Sequence, residues 1–363
     1  MRKMKINLVL PGAGNCGGVR VAFEYMNALT EYGHDVVCYV PACGSYVEWK
    51  KILFPKAIVR LMCSHDLQGR WFEKKFSLKF PFTISNFTVR DADVTIATSW
   101  LTSYWVNRLS PQKGKKVYFI QDFETWGSPQ LNIEVLKSYR LAFDEHISVS
   151  TALHDRLFNE VGCESKVVCN GVEECFLTPV EKKIPSESVT IGIPYRSSRG
   201  DDIKNCTLGI SVLHQIKKKY PHIELIAFGF KKPSEWDEQI IFVENPSREV
   251  LVKLYAHINI FYVPSIYEGW GLPAMEAMAQ KCCVIAGDSG VIKEIGRDRI
   301  NCIILEDPRN KNEAINKLSE LVCNPNLVSE IGEAARNSVS NMSTTKSAKR
   351  FEKILMSLLQ EHK

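Results

Sequence analysis

Two carboxylates stand on either side of a glycine-rich turn in the stretch YEGWGLPAMEAMA, residues 267–279. An ionised carboxylate such as that of Glu268 or Glu276 can accept two hydrogen bonds from a diol, whereas it repels a phosphate. Free backbone N–H groups at the start of a helix attract anions, so Gly271 and Leu272 are predicted to donate to a phosphate. A phosphate beside diols indicates that the bound molecule is a sugar nucleotide.

The elements around this turn predict how it is held. The run INIFYV (258–263) is apolar and β-rich, AMEAMAQK (274–281) consists of helix formers, and CCVIA (282–286) is again apolar. This pattern predicts a strand, a loop, a helix and a second strand, and ligands of open α/β sheets bind beyond the carboxyl ends of the strands. Glu276 is then expected in the first helical turn, where the macrodipole favours an acid for structural reasons alone. A loop acid such as Glu268 is usually solvated, so each acid taken singly also has a structural explanation.

Fixed cations are expected where a diphosphate binds without a metal, because Arg pairs with two phosphate oxygens and Lys supplies a point charge. The loop YRSSRGDDIK (195–204) offers Arg196, Arg199 and Lys204 directly after a predicted strand. The alternative is that these are solvated loop charges. The two adjacent aspartates of the loop are also interpreted as solvated, so no metal site is predicted.

The stretch PGAGNCGG (11–18) contains the spacing G-x-G-x-x-G at Gly12, Gly14 and Gly17, between a predicted strand and a predicted helix. Taken alone, that spacing indicates a dinucleotide-binding loop. Such a loop needs an Asp or Glu at the end of the second strand for the ribose hydroxyls, and DVVCYVPAC (35–43) has none there. NAD and FAD are therefore not predicted. The glycines indicate either close approach to a phosphate or sugar, or a tight turn.

Length and composition fit a globular protein of two domains. The chain has 363 residues, of which 45% are hydrophobic and 10% aromatic. The formal net charge of +5 allows attraction to phosphates or anionic lipid without demanding nucleic acid. No apolar run approaches the roughly 18 residues that span a bilayer, and the basic-then-apolar start is too short for a signal peptide. The 12 scattered cysteines lack C-x-x-C spacing and are interpreted as free thiols in a reducing cytoplasm.

Strand and helix patterns alternate along the chain, which predicts an α/β protein with parallel sheets. The first domain is expected at 1–180, and the polar stretch TPVEKKIPSES (178–188) is interpreted as a linker. The alternation resumes in a second domain at 187–345, and the tail at 346–363 is predicted to form an amphipathic helix. The predicted fold class is therefore α/β with two Rossmann-like doubly wound domains.

Basic and aromatic residues interleave in the stretch GRWFEKKFSLKFPF (69–82). Two interpretations are open. The stretch is either a surface helix with an apolar underside, or a contact with a membrane surface or a lipid-linked acceptor. No nucleic-acid-binding motif accompanies it, so nucleic acid is not predicted as a partner.

The stretch at 267–279 resembles the signature of family 4 retaining glycosyltransferases, which have the GT-B fold. Two glutamates separated by seven residues, a Gly-Leu-Pro and an Ala-Met helix agree together. The resemblance implies two Rossmann-like domains facing a cleft, a nucleoside-diphosphate sugar as donor, and no metal or other cofactor. It also implies that the helix at 346–363 packs back on the first domain. A second stretch, CGGVRVAFEYMNALTEYGHDV (16–36), resembles the segment in which a Gly-Gly pair lines the cleft, which implies a substrate-binding role for Gly17 and Gly18.

The resemblance also implies roles for the charged residues. Arg196 and Lys204 match the Arg and Lys that stabilise the departing diphosphate, with Arg199 as a competing candidate. Glu268 is expected to face the transferred sugar, and Glu276 is expected to hold the ribose diol. Arg196, Lys204 and Glu268 are accordingly predicted to be catalytic, and Glu276 to bind substrate.

The predicted strand KKVYFIQ (115–121) ends in Gln121, where many family members have His. Gln121 is therefore a predicted substrate-binding residue, and Asp122 or Glu124 is left as the candidate to bind the acceptor or take its proton. The stretch YFIQDFE (118–124) also resembles a subgroup that contains rhamnosyltransferases of bacterial surface polysaccharides. That similarity implies deoxythymidine-diphosphate rhamnose as donor.

The implied function is that of a hexosyltransferase-type glycosyltransferase (EC 2.4). It would transfer a sugar, with retention, to a saccharide or lipid-linked acceptor in cell-surface polysaccharide synthesis. The protein is expected in the cytoplasm, and at the inner face of the cell membrane in the case that it contacts lipid. Two alternatives stay open, which are a nucleotide-sugar epimerase of the same fold and a carbohydrate-binding scaffold without turnover.

Overall fold

The computed structural model describes residues 2–42, 68–125, 127–178, 182, 189–196 and 203–360. The chain divides into two compact units. The first comprises Met1–Asn170 with Thr344–Lys363, and the second comprises Gly171–Ser343. The chain therefore enters the second unit before the stretch 178–188 that was interpreted as a linker, most of which lies outside the described residues.

The described strands of the first unit form one parallel sheet in the order β3-β2-β1-β4-β5-β6-β7. These strands are β1 (Lys5–Val9), β2 (Asp35–Tyr39), β3 (Ser77–Lys79), β4 (Val94–Ala97), β5 (Lys115–Ile120), β6 (Glu145–Ser148) and β7 (Lys166–Val167). The described helices before residue 170 are α1 (Gly17–Glu31), α2 (Trp100–Asn107), α3 (Pro129–Ser138) and α4 (Thr151–Val161), with a 3-10 turn at Pro111–Lys113. The central strands are almost wholly buried, as expected for a parallel sheet that helices cover.

The described strands of the second unit form another parallel sheet, in the order β10-β9-β8-β11-β12-β13. They are β8 (Thr190–Tyr195), β9 (Glu224–Gly229), β10 (Ile241–Glu244), β11 (Ile260–Val263), β12 (Cys283–Gly287) and β13 (Ile303–Leu305). The described helices are α5 (Glu174–Leu177), α6 (Cys206–Lys219), α7 (Arg248–His257), α8 (Leu272–Ala279), α9 (Val291–Ile295), α10 (Lys311–Val322) and α11 (Pro325–Val339). The prediction of an α/β protein with two parallel-sheet domains is confirmed.

Local sequence sets where several of these helices begin. The side chains of Ser99, Ser128, Ser150, Ser247 and Asn310 each accept a hydrogen bond from the backbone N–H three residues on. A cap of this kind stabilises a helix by about 0.5–2 kcal/mol. The helix starts are therefore fixed by single polar residues, while the apolar faces fix what each helix covers.

The last helix, α12 (Thr344–Leu358), belongs to the first unit. Its Glu352 lies 2.9 Å from Nε2 of buried His34, whose Nδ1 accepts the N–H of Met4 at 3.1 Å. Nε2 therefore carries the ring proton and donates it to the carboxylate. Burial opposes ionisation of Glu352, but hydrogen bonds from Lys349 and His34 hold the pKa of this carboxyl below its ordinary value.

The stretch at 69–82 is not the predicted surface helix. It forms a turn followed by the edge strand β3, and Gly69 has a left-handed φ of 63°, which does not continue a helix. Trp71, Phe72 and Phe76 pack around Phe23 of α1, with ring centroids 5.2–5.9 Å away. These three aromatic residues do form an apolar underside, but through a turn and a strand.

The described part of the chain contains no helix that is both long and apolar enough to cross a bilayer. The ten cysteines within the described residues are free thiols. Six of them are buried, which agrees with their positions in apolar runs.

Candidate functional site

The two acids of the glycine-rich turn lie at the carboxyl end of the second sheet, as predicted. β11 ends at Val263, the loop turns through Gly271, and α8 begins at Leu272. Gly271 has a φ of 85° at the position before the helix, a left-handed conformation that other residues adopt only with strain. A helix leaves its first N–H groups without intrahelical acceptors, so the backbone at Gly271 and Leu272 points donors out of the turn.

The turn that precedes α9 packs against this loop. The N–H of Val291 donates to the carbonyl of Trp270 at 2.6 Å. A Cβ on Gly290 would stand 2.3 Å from that carbonyl oxygen, so only glycine fits there. A small pocket results beside Glu268, bounded by Trp270, Gly271 and the residues that follow β12.

Glu268 forms an ion pair with Lys204. The Lys204 Nζ lies 2.7 Å from Oε2, and the two side chains are 32% and 18% exposed. Backbone and amide hydrogen bonds bring the two loops together, because Ile266 N donates to the carbonyl of Ile203 and Asn205 Nδ2 donates to that of Pro264. Two residues that the sequence predicted separately, one for the sugar and one for the diphosphate, are thus direct partners.

Arg196 follows β8 at the same edge of the sheet and is exposed. Its backbone N–H donates to Sγ of Cys206, at the start of α6, at 3.4 Å. The competing candidate Arg199 and the two loop aspartates lie outside the described residues.

Glu276 does not lie in the first turn of α8. It is the fifth residue of the helix, because the helix begins at Leu272, and it is buried. The explanation by the helix macrodipole is therefore weak, since that effect fades beyond the first turn. Its carboxylate is instead held by side chains of α7, with Arg248 Nη2 2.7 Å from Oε1 and the Tyr255 hydroxyl 3.0 Å from Oε2.

Arg248 contacts a second carboxylate, that of Glu173. Its guanidinium also lies over the ring of Phe176, with Cζ 4.3 Å from the ring centroid. Burial, reinforced by the Glu276 carboxylate, raises the pKa of Tyr255, so this phenol stays a proton donor.

Sequence reasoning missed Arg248, Tyr255 and Glu173. Arg248 and Tyr255 lie two turns apart on α7, and that spacing predicts that they share a helix face. Nothing in the sequence indicates which carboxylate that face meets.

In the first unit, the structure brings Gln121 and the glycine pair together. Gln121 Nε2 donates to the carbonyl of Gly18 at 3.0 Å, just after Gly17 begins α1. The Gln121 Oε1 atom is buried and accepts no hydrogen bond from the described residues. A Cβ on Gly12 or Gly14 would meet nothing within 4 Å. Among the described residues, no close contact therefore requires glycine at these two positions.

Asp122 and Glu124 follow β5 and differ in environment. Asp122 accepts the N–H of Phe123 at 2.8 Å through its side chain. Glu124 accepts the N–H of Trp100, at the start of α2, at 2.8 Å. Burial raises the pKa of Glu124 to about 8, against the opposing effect of the Trp100 hydrogen bond, and the Asp122 charge adds to the rise. Glu124 is thus the better suited of the two to hold or release a proton near neutral pH.

Comparisons with known proteins identify sequences and folds that are similar to this chain. The family model for Glycosyl transferases group 1 matches residues 195–338. Over 90 residues the chain is 32% identical to the MMP alpha-(1->4)-mannosyltransferase of Mycolicibacterium hassiacum, and this match covers 25% of the chain and 22% of that enzyme.

Solved structures match over nearly the whole chain. A sucrose-phosphate synthase from Thermosynechococcus elongatus superposes with a TM-score of 0.74 at 15% identity, over 99% of this chain and 100% of that one. Anabaena HepE in complex with UDP and glucose gives 0.72 at 15% identity, over 98% and 100%. The chain has the GT-B fold, and residues 195–338 match the family model for group 1 glycosyltransferases. The predicted fold is confirmed, and the matches to residues 195–338 support the predicted family.

Proposed function

We propose that this protein transfers a sugar from a nucleoside-diphosphate sugar to a saccharide or lipid-linked acceptor. The observation that carries the proposal is the Lys204–Glu268 ion pair beside the start of α8, inside the segment matched by the family model. It combines a cation for a diphosphate, a carboxylate for a sugar and outward N–H groups at one sheet edge.

The diphosphate is proposed to bind Lys204, Arg196 and the N–H groups of Gly271 and Leu272. In the free protein the charge of Lys204 is balanced by Glu268. A bound diphosphate would take over that balance, which leaves Glu268 to act on the sugar. Positive charge develops on the sugar as its bond to the diphosphate opens, and a fixed carboxylate stabilises it.

Glu276 is proposed to hold the ribose. Each of its oxygens already accepts one hydrogen bond, from Arg248 or Tyr255, and an ionised carboxylate oxygen has a second acceptor position. Two neighbouring hydroxyls would fill both positions. A deoxythymidine nucleotide offers only the 3′-hydroxyl, so this arrangement supports a ribonucleotide donor over the deoxythymidine-diphosphate rhamnose suggested by 118–124.

The proposed reaction retains anomeric configuration and needs no metal, as the family resemblance implies. Addition of EDTA is accordingly expected to leave transfer unchanged, and loss of activity that magnesium or manganese restores would refute the metal-free account.

In the first unit, Gln121, Asp122 and Glu124 are proposed to bind the acceptor or to take its proton. A role in cell-surface polysaccharide synthesis belongs to the same proposal.

The test is product analysis. The protein is incubated with UDP-glucose, GDP-mannose or deoxythymidine-diphosphate rhamnose and a set of saccharide acceptors, and the products are separated by mass spectrometry. Transfer gives a new glycoside and free diphosphate, and NMR of the glycoside reports the anomeric configuration. An isomerised donor indicates an epimerase, while no product and no binding of any nucleoside diphosphate refutes the proposal.

A further inference from the structure

Arg248 is a partly buried cation that the proposed chemistry does not yet use. Its Nη2 bridges two carboxylates, Glu276 at 2.7 Å and Glu173, and its guanidinium covers the ring of Phe176. The side chain of Arg248 is 19% exposed, and those of Glu173 and Glu276 are 20% and 7% exposed. Within the described residues its Nε atom has no hydrogen-bond partner.

We infer that Arg248 is a positioning residue for the donor nucleotide, which fixes the Glu276 carboxylate so that both of its oxygens face the ribose hydroxyls. This inference rests on the proposed function. It adds a residue of α7 to the donor site and ties that site to Glu173, in the segment where the chain enters the second unit.

The first argument is charge. Removing a buried carboxylate's partner favours its neutral form, because burial penalises the charge. A protonated carboxyl has one hydroxyl that donates and fewer acceptor positions, so it would no longer match two hydroxyl donors. Arg248 supplies the opposite charge that a buried carboxylate acceptor needs, at 2.7 Å from Oε1.

The second argument is orientation. Arg248 donates to Oε1 and Tyr255 donates to Oε2, so the two donors of α7 hold opposite oxygens and prevent rotation of the carboxylate. Arg248 is in turn held by Glu173 and by the ring of Phe176. The plane of the Glu276 carboxylate is thus determined by Arg248 and Tyr255 of α7.

The experiment compares two ligands that differ only at the ribose. Calorimetry measures the dissociation constants of UDP and 2′,3′-dideoxy-UDP for wild type and for Arg248→Met. Wild type is expected to prefer UDP by about 10-fold to 100-fold, the range for hydrogen bonds to a charged group. In Arg248→Met that preference is expected to fall toward unity through weaker UDP binding, while binding of the dideoxy ligand changes little.

A purely structural role would weaken both ligands equally and leave the preference intact, which would overturn the inference. Arg299→Met is the matched control. Arg299 pairs with exposed Glu320 in the same unit, so this variant is expected to leave both dissociation constants unchanged.

A second variant serves in the case that Arg248→Met does not fold. Arg248→Lys keeps the positive charge without the paired N–H groups of the guanidinium, and it should show an intermediate preference for UDP. A preference equal to that of wild type would then overturn the inference. A wild type that binds deoxythymidine diphosphate more tightly than UDP would also overturn it, and a wild type that binds no nucleoside diphosphate refutes the proposed function instead.

Discussion

Replacement of Glu268 by Gln should separate binding of the diphosphate from turnover. In the free protein Glu268 and Lys204 neutralise each other at 2.7 Å. Gln has the same shape without the charge, so the variant leaves Lys204 as an uncompensated cation next to the expected diphosphate position. We therefore expect free nucleoside diphosphate to bind the variant at least as tightly as it binds wild type.

The size of the effect follows from exposure. The pair is partly open to solvent, with side chains 32% and 18% exposed, so its strength belongs to the range for solvent-screened ion pairs. That range is about 0.2–1 kcal/mol, which corresponds to a gain in affinity of up to about fivefold. The turnover number should change in the opposite direction, by about 100-fold or more, because the carboxylate acts when charge develops on the sugar.

The assay pairs calorimetry of the free diphosphate with steady-state kinetics of transfer. Lys204→Met should give the opposite pattern, with weaker binding of the diphosphate. Lys293→Met is a control. Lys293 lies on α9 of the same unit and pairs with exposed Asp288 at 3.6 Å, so the variant should change neither the diphosphate affinity nor the turnover number. A clear loss of diphosphate affinity in Glu268→Gln would refute the reasoning, because it would mean that the carboxylate itself binds the nucleotide.

Three further predictions concern the first unit. The raised pKa of Glu124 means that the folded protein holds a proton there between pH 4.5 and about 8 that the unfolded chain releases. Stability should therefore fall as pH rises through that window, and thermal melts of Glu124→Gln should lose this part of the slope; an unchanged slope contradicts the assignment. Exposed Phe82 and Phe87 should support binding to anionic vesicles, so replacing both by Ser should reduce cosedimentation, whereas exposed Phe158→Ser should not; equal losses would argue against a specific surface. Glu352→Gln replaces one of two buried acceptor oxygens by an NH2 donor and removes the charge that faces His34 and Lys349. It should destabilise α12 by about 1–3 kcal/mol at neutral pH, measured by denaturant melts, and the difference from wild type should shrink in acid as the lowered pKa of Glu352 is crossed; a constant difference would be inconsistent with this cause.

The sheets and most helices could be predicted from the sequence because buried parallel strands are short apolar runs. INIFYV, KVYFIQ and DVVCYV each correspond to a strand within one or two residues of the predicted bounds. The surface-helix interpretation of the stretch 69–82 was wrong because alternating aromatic and basic residues fit a helix face and an irregular turn equally well. Its conformation is decided by packing on Phe23, which no local pattern reveals.

The positions of Glu268 and Lys204 at the sheet edge could be predicted from the sequence, but their pairing could not. Glu268 and Lys204 were each expected at the sheet edge, yet their contact depends on how two loops, 64 residues apart in sequence, are joined by Asn205 and Ile266. Glu276 was expected in the first helical turn, whereas the helix begins at Leu272 and Glu276 is its fifth residue.

The environments of the two acids explain why a glycine-rich turn carries both. Glu268 is paired with Lys204, a lysine that solvent reaches, so Lys204 can exchange this carboxylate for a diphosphate at little cost in free energy. Glu276 is buried and held by Arg248 and Tyr255, and a buried pair loses several kcal/mol when one partner leaves. The first carboxylate can therefore change partners during a reaction cycle, and the second cannot. That difference fits a group that acts on the reacting sugar and a group that holds the part of the donor that does not react.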